Sequence, residues 1–101
     1  MRKIEKLMIE AVNGKKCFKL SNTEVIPCKN GSVFVKLYDT IIFACVNGEK
    51  YFCDGGYKTS TTASRLRALG ADYSVNAKKN NCVLTPCKVI SNLFIDSSFN
   101  F

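Results

Sequence analysis

Thr40-Ile41-Ile42-Phe43-Ala44-Cys45-Val46-Asn47-Gly48-Glu49-Lys50-Tyr51-Phe52-Cys53 is the stretch on which the fold class turns. Asn47 and Gly48 stand between two apolar runs. A type I′ turn needs positive φ at both central residues, which Asn and Gly adopt at little cost. The stretch therefore reads as a β-hairpin, ended where Asp54-Gly55-Gly56 breaks the pattern. Ile41 to Val46 shows no polar alternation, which predicts a central strand covered on both faces.

Upstream, the period of two continues through segments near Cys17 to Leu20, Glu24 to Cys28 and Ser32 to Tyr38, with Asn30-Gly31 as a second turn of the same kind. Strands that follow one another with short connections form a meander. Ahead of them, Ile4, Leu7, Met8, Ala11 and Val12 fall on one helical face, and Asn13-Gly14 supplies the stop. A helix this short is marginal alone, so its stripe must dock on the sheet.

Downstream, a second helix is predicted from about Thr61 to Leu69, with Ser60 or Thr59 as cap and Gly70 as the left-handed end. Thr62, Leu66 and Leu69 share its inner face, Ser64 and Arg67 point away, and Arg65 lies on the flank. Tyr73 to Val75 and Cys82 to Leu84 read as a C-terminal hairpin with the basic tip Asn76-Ala77-Lys78-Lys79-Asn80-Asn81, its second strand limited by Pro86. Val89 to Ile95 reads as one more strand, and Asp96 to Phe101 as a flexible tail. The expectation is a single α+β domain over residues 1–101, with an N-terminal helix packed on a mainly antiparallel sheet, a second short helix and a C-terminal β-hairpin.

The chain carries 15 Lys and Arg against 8 Asp and Glu, a net charge of +7 that biases it toward polyanions such as nucleic acid or an acidic protein surface. Met1-Arg2-Lys3-Ile4-Glu5-Lys6 is too charged for a secretory signal, and Ile41 to Val46 is too short to cross a bilayer, so a cytoplasmic protein with no membrane association is expected. Its six cysteines then read as reduced thiols. Cys17, Cys45 and Cys53 suit buried β positions. Cys82 and Cys87 sit at the loose edge of zinc spacing without a C-x-x-C motif, which assigns no metal.

No histidine is present, which removes the commonest general base and metal ligand, and the acidic residues are scattered singly. Asp54 to Thr62 has glycines, a lysine and hydroxyls ahead of a helix but lacks the Walker spacing. The reading is a protein without enzymatic activity or cofactor. Its functional content concentrates between Tyr57 and Lys88, where Lys58, Arg65, Arg67, Lys78, Lys79 and Lys88 face only Asp72. Lys58, Arg65, Arg67, Lys78 and Lys79 are the nucleic-acid-binding candidates, through a helix and a Lys-tipped hairpin set against phosphates.

The run from Gly56 to Gly70, Gly-Tyr-Lys-Thr-Ser-Thr-Thr-Ala-Ser-Arg-Leu-Arg-Ala-Leu-Gly, resembles a segment of small accessory proteins of tailed bacteriophages. The resemblance implies a compact protein made during infection, with no activity to carry over onto particular residues. Two expectations follow: a nucleic-acid-binding accessory protein, or a protein-binding inhibitor or adaptor acting on a host enzyme or defence complex. The second would use a strand edge or the Phe94, Phe99 and Phe101 tail as anchor, and either feature would also support a homodimer.

Overall fold

A computed structural model describes residues 2–55, 59–71 and 84–99. The elements are α1 (Lys3–Gly14), β1 (Phe18–Leu20), β2 (Thr23–Pro27), β3 (Val33–Leu37), β4 (Thr40–Val46), β5 (Glu49–Phe52), α2 (Ser60–Ala68) and α3 (Cys87–Phe99). The five strands form one antiparallel sheet in chain order, which is the expected meander. Met8 and Ala11 of α1 and Ala63 and Leu66 of α2 pack on one face, against Val25, Val33, Val35 and Leu37. Ile90, Leu93 and Phe94 of α3 pack on the other, against Phe34, Ile41 and Ala44. The domain is therefore three layers deep.

The unbroken apolar run of β4 is explained by those two covers. Val35 opposes Phe43 and Lys36 opposes Ile41, so Ile42 is an extra residue in the ladder. This bulge sends Ile42 and Phe43 to the same side, where both join the core under α1 and α2.

The second cover corrects the sequence reading. Val89 to Ile95 is helical, not a strand, because Ile90, Leu93 and Phe94 recur at i, i+3 and i+4 and find an apolar sheet face to cover. Pro86 opens this helix, its carbonyl accepting from the N–H groups of Val89 and Ile90 at 3.0 and 3.2 Å. Phe94 packs edge-on to Phe34 with ring centroids 5.1 Å apart, so it serves the core and not an external anchor. The expected C-terminal hairpin, Tyr73 to Val75 with Cys82 to Leu84, lies outside the described residues save for Leu84, as does Phe101.

Four turns join the strands. Asn47 (φ 53°) and Gly48 (φ 81°) make the expected I′ connection. At Asn30-Gly31 only Gly31 has positive φ, 91°. Asn30 instead accepts the Ser32 N–H on its side chain at 3.0 Å, giving a three-residue loop closed by Cys28 and Ser32. Ser21 (φ 55°) begins the β1–β2 turn, and Tyr38 (φ 50°) with Asp39 (φ 67°) makes the β3–β4 turn. A bulky aromatic in left-handed backbone is costly, and Tyr38 is 70% exposed, so burial gives nothing back.

Beneath these two turns lies a buried ion pair. Glu5 of α1 and Arg65 of α2 are 2% and 3% exposed, with Nη1 2.7 Å from Oε2. Ser64 donates to the same carboxylate oxygen, and the Arg2 N–H donates to Oε1 at 3.2 Å. Arg65 Nε donates to Thr23 Oγ1 at 3.1 Å and Nη2 to Asn22 Oδ1 at 3.4 Å, while the Thr23 hydroxyl donates to Asn22 Oδ1 at 2.9 Å. Asn22 in turn accepts the Tyr38 N–H on its carbonyl at 3.0 Å. No buried side-chain nitrogen or oxygen among the described residues lacks a partner. Both helices and both turns are thereby tied to one polar cluster.

Burial alone would raise the pKa of Glu5. The hydrogen bonds from Ser64, Arg65 and the Arg2 N–H, together with the Arg65 charge, outweigh it and hold the carboxyl below its ordinary 4.5. The pair thus contributes its full stability above that unfolded value and loses it as pH falls through the lowered folded pKa.

Arg65→Met should cost about 3–5 kcal/mol in urea unfolding, because it strands a buried carboxylate. Adding Glu5→Leu should recover part of that loss, and a double variant less stable than Arg65→Met would refute the assignment. Acidification from about pH 5 to pH 3 should lower the urea midpoint more steeply in the wild type than in Glu5→Gln. Parallel slopes would exclude Glu5 as the titrating group. Tyr38→Asn with Asp39→Gly should add about 1 kcal/mol, a rise of roughly 4–8 °C in Tm; an unchanged Tm would mean that the turn holds no strain.

Candidate functional site at the loop end of the sheet

The meander places two turns at each end of the sheet. Ser21-Asn22 and Tyr38-Asp39 lie at the turn end; the Lys29 to Gly31 loop and Asn47-Gly48 lie at the loop end. Glu5 and Arg65 pin α1 and α2 to the turn end through Asn22 and Thr23. Both helices then run toward the loop end, where their C-termini flank a common cavity.

The two C-termini close in the same way. In α1 the helix continues through Gly14, and Lys15, not the expected glycine, takes the left-handed conformation at φ 51°. Lys15 N–H donates to Val12 O at 3.3 Å and Lys16 N–H to Ala11 O at 2.9 Å. In α2 Gly70 has φ 108°, Gly70 N–H donates to Arg67 O at 3.1 Å and Ala71 N–H to Leu66 O at 2.9 Å. Both are Schellman motifs, which satisfy carbonyls that would otherwise be orphaned. The start of α2 also matches expectation, with Thr59 Oγ1 accepting the Thr62 N–H at 3.2 Å.

Between these helix ends is a cavity of about 540 Å³. Its floor is apolar, formed by Ile9, Val12, Val33, Phe43, Cys45 and Leu69, and Lys15 and Lys50 stand on its rim. A Cβ on Gly31 would lie 3.5 Å from Lys15 Nζ, and one on Gly70 would lie 3.9 Å from Lys50 Nζ. Each ammonium therefore lies beside a glycine, at ordinary contact distance from where a Cβ would stand.

The loop end is strongly basic. Lys15, Lys16, Lys29, Lys50 and Arg67 are exposed there, and Glu49 stands beside Lys50. Glu49 accepts the Tyr51 hydroxyl at 2.9 Å, a bond that holds the phenol pKa above its ordinary value. The buried Glu5–Arg65 pair removes one charge of each sign from the surface, so the +7 excess lies entirely outside it.

The candidates read from the sequence separate sharply. Arg67 is exposed in the last turn of α2, and Lys88 is exposed at the start of α3. Arg65 is not at the surface: its guanidinium is enclosed by Glu5, Thr23 and Asn22, because the flank of α2 on which it lies faces α1 and β2. Lys58, Lys78 and Lys79 lie outside the described residues. Of the thiols, Cys53 is buried, Cys28 and Cys45 are half-buried, and burial pushes the Cys28 pKa up. Cys17 is exposed, against expectation, because it precedes β1 and has no ladder partner.

Lys15, Lys16, Lys29 and Lys50 carried no functional weight in the sequence reading, although a signal for them exists. Asn13-Gly14, Asn30-Gly31 and Asn47-Gly48 recur at a constant interval of 17 residues, each with lysine within two positions. One interval carries the chain down and back along the sheet axis, so all three dipeptides return to the same end.

Comparison with curated proteins and with solved structures found no match. The family of the Kyanoviridae Gp96 protein matches residues 1–99, nearly the whole chain. That match extends the bacteriophage resemblance of the Gly56 to Gly70 segment to every element of the fold. The chain belongs to the Kyanoviridae Gp96 protein family, a family of phage proteins.

Proposed function

We propose that this phage protein is a non-enzymatic accessory protein that binds nucleic acid through its basic loop end. The observation that carries this reading is the convergence of the exposed Lys15, Lys16, Lys29, Lys50 and Arg67 around one end of the sheet. Cations grouped on a rigid surface release counterions when they meet a phosphate backbone, which gives affinity without base readout. Lys58, Lys78 and Lys79 remain candidates for the same role, since they flank α2 in sequence. Arg65 is not among them, because its charge is neutralised inside the domain. The chain's lack of histidine supports binding without catalysis.

A second reading, an inhibitor or adaptor that binds a host protein, is favoured by Tyr38. An exposed tyrosine held in left-handed backbone at a hairpin tip is the kind of rigid aromatic that anchors protein interfaces. On this reading the basic surface steers encounter and Tyr38 supplies the contact.

Fluorescence anisotropy with 20-nucleotide single-stranded and duplex DNA and RNA separates the two. Nucleic-acid binding predicts measurable affinity at low salt and a linear fall of log K with log salt, each phosphate contact adding roughly 0.9 to the slope on duplex DNA. Lys16→Glu with Arg67→Glu should weaken binding at least about tenfold and flatten that slope. Undetectable binding at low salt, or affinity unchanged in the double variant, would end this reading. A stoichiometric host partner that survives nuclease treatment and is lost in Tyr38→Ala would establish the second.

A further inference from the structure

We infer that the cavity between the C-terminal ends of α1 and α2 is a binding site for a small amphipathic organic anion, with its apolar body on Ile9, Val12 and Cys45 and its anionic group between Lys15 and Lys50. This goes beyond nucleic-acid binding, because it rests on the concave apolar floor and not on the breadth of the basic surface. The volume of about 540 Å³ falls within the range of ligand pockets, roughly 300–1,000 Å³, which are typically apolar with a few convergent polar groups.

Three features favour an anion with an apolar body over a neutral or cationic ligand. Lys15 and Lys50 both line the cavity, Lys15 beside Gly31 and Lys50 beside Gly70. Neither has a carboxylate partner among the described residues. At the helix ends, Schellman hydrogen bonds engage the carbonyls of Ala11, Val12, Leu66 and Arg67, which leaves fewer free oxygens to oppose an anion. The apolar side chains of the floor, Ile9, Val12 and Cys45 half-buried at its surface, favour a ligand with an apolar body over a fully hydrated ion such as inorganic phosphate.

The probe is 8-anilinonaphthalene-1-sulfonate, an aromatic body with one anionic group, titrated into the full chain. The expected result is saturable enhancement with one site per chain and a raised Tm, which distinguishes binding to the folded state from binding to a loosened one. Lys15→Gln with Lys50→Gln should weaken it about tenfold, and neutral N-phenyl-1-naphthylamine should bind the wild type about as weakly. Cys45→Phe, which fills the floor, should abolish it. If that variant does not fold, alkylation decides: the probe should slow reaction of Cys45 with iodoacetamide while leaving exposed Cys17 unchanged. Absence of saturable binding, equal affinity for the neutral analogue, or an unprotected Cys45 would overturn the proposal. Lys16→Glu with Arg67→Glu should leave probe binding within about twofold, so failure of the nucleic-acid reading and failure of this one are separable.

Discussion

The buried contact between Glu5 and Arg65 is the constraint on which the arrangement of this domain rests. A charged pair taken out of water costs several kcal/mol per ion, and the interior tolerates it only when every remaining donor and acceptor is met. Here Ser64 and the Arg2 N–H complete the carboxylate, while Thr23 and Asn22 complete the guanidinium. Those partners come from α1, α2, β2 and the β1–β2 turn, so satisfying the charges fixes the relative position of four pieces of chain. An apolar contact of similar area would leave the helices free to slide; a directional network does not.

The consequences run along the sheet. With α1 and α2 pinned side by side at the turn end, their C-termini are delivered together to the loop end. There the Schellman closures, the three-residue loop at Gly31 and the I′ turn at Gly48 gather around one cavity. Buried and exposed charge are thereby separated. The arginine that holds the domain together is sealed from solvent, and exposed lysines stand beside glycine-bearing turns at the far end. The opposite sheet face carries no such division: α3 covers it with Ile90, Leu93 and Phe94, and Lys36 Nζ lies 5.5 Å from the centroid of the Phe94 ring.

Much of the fold was legible because local chemistry and tertiary environment agreed. Asn47-Gly48 adopts the turn its residues favour, Thr59 and Gly70 cap α2 as their types predict, and the apolar run of β4 is covered on both faces. Legibility failed where the environment overrode local preference. Val89, Ile90 and Ile95 carry β-branched chains suited to a strand, yet the vacant face of the sheet offered a partner for a helix stripe. Tyr38 and Asp39 occupy a turn that Asn-Gly would have signalled, held there by the β3–β4 register and by Asn22.

By itself the sequence determined the α+β class, the meander, the first two helices and a basic protein poor in catalytic groups, because periodicity, turn chemistry and composition act over a few residues. Only the tertiary structure decided which charges are available. Glu5 and Arg65 are 60 positions apart, and no local pattern records that they meet. Lysines near Asn13-Gly14, Asn30-Gly31 and Asn47-Gly48 become neighbours only when the meander folds each 17-residue interval back on itself. Burial is a property of the packed layers, and it turned one expected surface arginine into the structural centre of the domain.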